Sequence, residues 1–196
     1  MVDLPAWVPE DETKPAPMPL LVLQAFVNTR EADAGTDLLG DDEGVARAWL
    51  HEAGLLASAD ETVDLAQARA LRESIRALLV RNGGGPPPTA VELAALKALS
   101  ERSRFVPLVG ADGHMELQPE GDRGAPSGLA RLLLIIHDAQ RNGSWDRLKA
   151  CRNDECRWAF FDRSHARQGA WCDMAVCGNR MKNRKLRSRR GRVALP

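Results

Sequence analysis

Four cysteines stand in two equal pairs, Cys151-x4-Cys156 and Cys172-x4-Cys177, with fifteen residues between the pairs. No other feature limits the fold so closely. Symmetric pairs at this spacing point to a zinc site, in which four thiolates surround one ion tetrahedrally. On a regular helix a five-residue offset turns through about 500°, leaving the two thiols of a pair ~140° apart. Each pair must therefore span a turn, and the second can straddle a helix start. Two disulfides are the competing reading, and they need an oxidising compartment. The opening residues, MVDLPAWVPEDETKPAPMPL, carry acids and prolines where an export signal has basic residues and an apolar run. LLLIIHDA, the longest strongly apolar stretch, is too short to span a bilayer. The expectation is a cytoplasmic chain holding one structural Zn2+ through Cys151, Cys156, Cys172 and Cys177. Four thiolates fill the tetrahedron, which argues against catalytic zinc. His165, between the pairs, could replace one ligand.

The residues between the pairs read RWAFFDRSHARQGAW. Trp158, Phe160 and Phe161 form a strand-like aromatic cluster. Asp162 and Ser164 are expected to shape the turn that follows, by hydrogen bonds to backbone N–H groups. A unit of about 45 residues has little core, so zinc and these aromatics must hold it together.

After Cys177 the chain is strongly basic. Residues 141–196 hold 15 Arg and Lys against 5 Asp and Glu, while the whole chain has a formal net charge of zero. The remainder is correspondingly acidic, and such a split suggests two jobs. The spacing predicts a helix over residues 178–190, basic all round. Arg180, Arg184 and Arg187 fall on one face, with Lys182, Lys185 and Arg189 on the next. Such a helix suits phosphates, for which Arg offers forked donors. It could instead dock on the acidic part of the chain, an autoinhibited arrangement.

Upstream, residues 1–17 read as a disordered tail. PLLVLQAFVNT (19–29) reads as a buried helix ending in Asn28, a residue that either caps it or faces a pocket. Asp41 is expected to cap a helix carrying Val45, Ala48, Trp49 and Ala53. A longer helix over 62–81 puts Leu71, Ile75 and Leu78 on its apolar face, with Arg72, Glu73 and Arg76 as a charged face. NGGGPPP ends it, and Thr89 with Glu92 forms a capping box for the next helix. Residues 104–119 read as a β-hairpin around GADG. Leu129, Leu132, Leu133 and Ile136 mark a core helix that breaks at RNGS, where Ser144 can cap the next turn. No P-loop, GxSxG or HExxH motif is present, and His51, His114 and His137 stand alone. The expectation is that the chain is not an enzyme.

The stretch from Cys151 to Arg190 resembles the CGNR-type zinc finger of bacterial proteins. It carries both cysteine pairs, Trp158, Phe160, Asp162, Ser164, Trp171 and the signature Cys177-Gly178-Asn179-Arg180. The preceding part is similar to the ABATE-type (DUF1470) domain of that family, through FVNT and LRESIRALL. The resemblance implies a mainly α protein: a multihelical N-terminal domain with one small β-hairpin, then a small four-cysteine zinc finger made of a short hairpin and a basic C-terminal helix. The expected organisation is a tail (1–17), a helical domain (18–142), the finger (144–190) and a short tail (191–196). The family is described as stress-induced transcription regulators, so the resemblance implies zinc-dependent binding of double-stranded DNA. Asn179, Arg180, Lys182, Arg184, Lys185, Arg187, Arg189 and Arg190 are the candidate contacts. Asn179 or Arg180 could reach a base edge. The helical domain would sense a small-molecule effector or form a homodimer. Two alternatives stand beside this: an RNA- or ribosome-associated zinc protein, and a small-molecule-binding protein whose finger is only a docking module.

Overall fold

The computed structural model describes residues 4–9, 12–40, 42–58, 60–120 and 127–184. The chain is mainly α, with small antiparallel hairpins. α1 (Leu20–Asn28) is buried along its whole length, as its nearly unbroken apolar sequence requires. β1 (Arg30–Glu31) and β2 (Thr36–Asp37) pair as a two-residue hairpin that the sequence pattern did not predict. α2 (Glu43–Glu52) starts one residue later than expected. Asp42, not Asp41, is the N-cap, its carboxylate accepting from Val45 N–H at 3.1 Å. The buried face moves with it, to Ala46, Trp49 and Leu50, and Val45 is exposed.

α3 (Leu65–Asn82) is capped by Asp64 and buries Ala68, Leu71, Ile75 and Leu79. The Thr89–Glu92 box forms, Thr89 N–H donating to Glu92 and Glu92 N–H donating back to Thr89 Oγ1, but it closes the turn before the helix: α4 (Ala94–Arg102) has Leu93 as its N-cap, without a side-chain cap bond. β3 (Phe105–Val109) and β4 (Met115–Pro119) form the expected hairpin. α5 (Ser127–Asn142) buries Leu129, Leu132, Ile135 and Ile136. A 3-10 turn (Trp145–Arg147) leads into β5 (Leu148–Ala150), which pairs antiparallel with β6 (Ala159–Phe161). Ser144 sits before that turn but its side chain makes no cap bond. A π-helical turn (Met174–Gly178) runs into α6, helical over 179–184. The expected helix beyond 184, with Lys185, Arg187, Arg189 and Arg190, lies outside the described residues.

The core does not stop at residue 143. Trp145, Leu148, Ala150, Ala159 and Phe161 belong to the same buried cluster as α1, α3 and α5. β5 lies on α3 and β6 on α1. Asn82, at the end of α3, donates to the carbonyls of Trp145 and Leu148, both at 3.0 Å. The finger's hairpin is thus a layer of the helical core.

The N-terminal stretch also differs from the expected disordered tail. Val8 and Ala16 are buried, and the carbonyl of Trp7 accepts from Trp49 Nε1. Phe161 N–H donates to Lys14 O at 3.0 Å, which sets this stretch against β6. Apolar residues spaced among the prolines give the segment something to bury, which composition alone concealed.

The Arg72, Glu73 and Arg76 group departs further from its expected role as a charged face. Arg72 is 2% and Arg76 7% exposed. Arg72 forms a forked pair with the Asp37 carboxylate, at 2.6 and 2.8 Å, and Glu73 accepts from both arginines. A charge this deep is tolerated because every arm finds an acceptor.

Candidate metal centre and basic helix

Each cysteine pair sits on a turn whose backbone explains the spacing. Cys151 follows directly on β5, and its N–H donates to Trp158 O at 2.9 Å. The chain then folds back around Asn153, whose carbonyl accepts from Cys156 N–H and Arg157 N–H. Arg157 takes φ 54°, the left-handed conformation that closes this knuckle. The second pair straddles a helix start. Asp173 caps it by accepting from Val176 N–H at 2.8 Å, and Gly178 N–H reaches back five residues to Asp173 O. This wider-than-α turn brings residues five apart to the same side, which a regular helix cannot do.

The four sulfurs all lie within 4.8 Å of one another. Cys156 and Cys172 stand 3.6 Å apart, and Cys172 and Cys177 3.7 Å. Zinc–sulfur bonds of ~2.3 Å at tetrahedral angles require sulfurs about 3.8 Å apart, so the donor set fits that ion. The thiols are also electrostatically frustrated on their own. Hydrogen bonds from the Cys156 and Cys172 thiols hold Cys151 down to about 2. Donation to Cys151 in turn pushes Cys156 up to about 12 and pushes Cys172 up as well. The Cys151 thiolate suppresses those of Cys156 and Cys172, and a divalent cation is what lets them ionise together. His165 is exposed and no part of the cluster.

A second layer of donors surrounds the sulfurs. Backbone N–H groups of Cys172 and Asn153 point at the Cys151 sulfur, and that of Trp158 at Cys156. Buried Asn153 directs its Nδ2 at Cys177 Sγ, 3.9 Å away. Buried Arg76 reaches across from α3, donating to Arg157 O at 2.9 Å and to Val27 O at 2.7 Å. It therefore ties the first knuckle to the end of α1.

Asn28 does not cap α1, whose C-cap is Thr29. Asn28 is buried and grips both backbone polar groups of one β6 residue. Its Nδ2 donates to Ala159 O at 2.9 Å and its Oδ1 accepts from Ala159 N–H at 2.7 Å. Glu12 accepts from Asn28 Nδ2 and, at 3.0 Å, from Trp158 Nε1. A second polar anchor escaped the sequence reading altogether. Lys149 and Asp162, both 4% exposed, pair at 2.7 Å. Asp162 also shapes the expected turn, accepting from Ser164 N–H and Gly169 N–H. Burial works against this carboxylate, but Lys149, Ser164 and Gly169 outweigh it and hold the group below the usual range. A Cβ at Gly169 would lie within 2.9 Å of all three carboxyl atoms, so only glycine fits there. The signal available was Lys149 between Leu148 and Ala150, a lysine in an otherwise apolar strand.

On α6, Asn179, Arg180, Lys182 and Arg184 are all exposed. Two of them are engaged within the molecule. Arg180 pairs with Asp33, in the loop between β1 and β2, at 2.6 Å, and Arg184 with Glu155 at 2.5 Å.

Residues 22–140, more than half of the chain, match the ABATE family, described as "Putative stress-induced transcription regulator". The chain belongs to the ABATE family. Its residues 147–190 match the CGNR zinc finger, which takes in all four clustered cysteines and α6. No curated protein matches this ABATE chain.

Proposed function

We propose that this ABATE-family protein is a cytoplasmic, zinc-dependent transcription regulator that grips double-stranded DNA with its CGNR finger. The observation that carries the reading is the four-thiol cluster at the root of a basic helix. Cys177 is both the fourth sulfur and part of the π-helical turn that runs into α6. One structural zinc held by Cys151, Cys156, Cys172 and Cys177 supplies folding energy and fixes the direction of that helix. All four positions are taken, so the centre does no catalysis, and we propose no enzymatic activity. The helix would bring Asn179, Arg180, Lys182 and Arg184 to the phosphates, followed by Lys185, Arg187, Arg189 and Arg190. The helical domain would carry the regulatory input, through a small-molecule effector or a second copy of the chain.

Duplex is favoured over single-stranded RNA because single-strand readers stack bases on exposed aromatics. Here Trp158 and Trp171 are only half-exposed, and the Trp158 indole is tied to Glu12. The test is fluorescence anisotropy of zinc-loaded protein with duplex DNA across a salt series. Log affinity should fall against log salt by about 0.9 per phosphate bound. A slope near zero, or equal binding by the zinc-stripped protein, rejects the reading.

A further inference from the structure

The arginines of α6 are partly neutralised by acids. Three others are not. Arg147, Arg163 and Arg167 line a shallow concavity of about 450 Å³, floored by Phe161 and rimmed by residues 142–144. It opens at the end of the β5–β6 hairpin where Leu148 pairs with Phe161, opposite the end that leads into the cysteines. Arg147 donates through Nη1 to the carbonyls of Asp162 and Ser164, at 2.9 and 3.1 Å. Arg163 donates to Pro15 O at 2.8 Å. The Arg167 side chain has no hydrogen-bond partner among the described residues, and none of the three is ion-paired with a described carboxylate.

Bonds to carbonyls hold a guanidinium in place without cancelling its charge. Each arginine has five N–H donors, so most remain free for an anion. Asp162, beside Arg163, is already taken by Lys149 and two backbone N–H groups, and Asp146, next to Arg147, is ion-paired with none of the three. The C-terminus of α5 adds only about half a negative charge at the rim. Three uncompensated guanidiniums around one hollow match the oxygens of a phosphate, for which Arg forks are suited.

We infer that Arg147, Arg163 and Arg167 form a phosphate site for the nucleic-acid backbone, a second anchor at the far end of the finger from α6. The inference rests on the nucleic-acid reading above and widens its footprint. The three residues of β5 separate Arg147 from Cys151, a span of about 13 Å. The two anchors would thus engage separate phosphates, with the hairpin laid along the duplex between them.

The test uses the full zinc-loaded chain and a mixed-sequence duplex. Arg163 and Arg167 are exposed and lie outside the cysteine cluster, so the double variant Arg163→Ala/Arg167→Ala should melt like the wild type. Its salt slope should become shallower by about 0.9, for the one phosphate the hollow no longer holds. Its affinity at low salt should fall at least tenfold, and Arg163→Lys/Arg167→Lys should restore most of the slope. A steep wild-type slope that the alanine variant keeps overturns this inference and leaves the α6 reading standing. A wild type that does not bind duplex at all overturns both. Amide shifts at Gly143 and Ser144 that respond to inorganic phosphate and not to duplex reassign the hollow to a free anion, and overturn it too.

Discussion

Asn28 carries a disproportionate share of the join between helix and finger. Its amide occupies both backbone hydrogen-bonding groups of Ala159, deep in the structure. Asn28→Ala leaves the Ala159 N–H buried without a partner, a loss of about 2–3 kcal/mol. Thermal unfolding should report it as a drop in Tm of roughly 4–12 °C. The Lys149–Asp162 pair makes a pH prediction. The folded carboxyl titrates below its unfolded value of about 3.9. Its stabilisation is therefore full above about pH 4 and is lost as pH falls through the lower folded value. Asp162→Asn leaves a buried ammonium without its counter-charge and should cost about 3–5 kcal/mol near neutrality. The gap in Tm between variant and wild type should narrow on acidification towards about pH 3.

The turns that hold the cysteines are where chemistry and backbone meet. Replacing one ligand, as in Cys172→Ser, should remove bound zinc in native mass spectra, where the wild type is expected to show one ion. Arg76 works on the same centre from a distance, through Arg157 O. Arg76→Ala should weaken zinc by about tenfold, as other outer-layer partners of metal sites do, read by competition with a chelating dye. Sequence alone revealed these turns well, because a five-residue spacing excludes a shared helix face and CGNR marks the helix start. It also revealed the hairpin of β3 and β4 and the capping box. It misjudged Arg72 and Arg76, because a helical wheel places polar residues outside and cannot see that Asp37, Glu73 and two carbonyls wait for them inside. The start of α2 slipped by one residue because Asp41 and Asp42 offer the same capping chemistry. The partner of Asn28, 131 residues away, has no local signature.

At the level of the whole chain, the finger and the helical domain share one core. A fragment spanning 144–196 would expose Leu148, Ala150, Ala159 and Phe161, all buried with α1 and α3. Even with zinc it should give poor amide dispersion, and mixing it with a fragment spanning 1–143 should restore the native spectrum. The acidic and basic parts of the chain also touch, at Asp33 and Arg180. Asp33→Asn should free that arginine and strengthen duplex binding only a few-fold at low salt, because exposed pairs are weak. Hydrogen bonds such as Trp158 to Glu12 and Lys14 to Trp171 join residues 146 and 157 positions apart. A nascent chain cannot make them until Trp158 and Trp171 have left the ribosome. Until then the α1 and α3 surfaces that receive the hairpin are bare, and the N-terminal stretch has only its contacts with α1 and α2. Completion of the helical core therefore waits on synthesis of the finger's hairpin, and the two units mature as one.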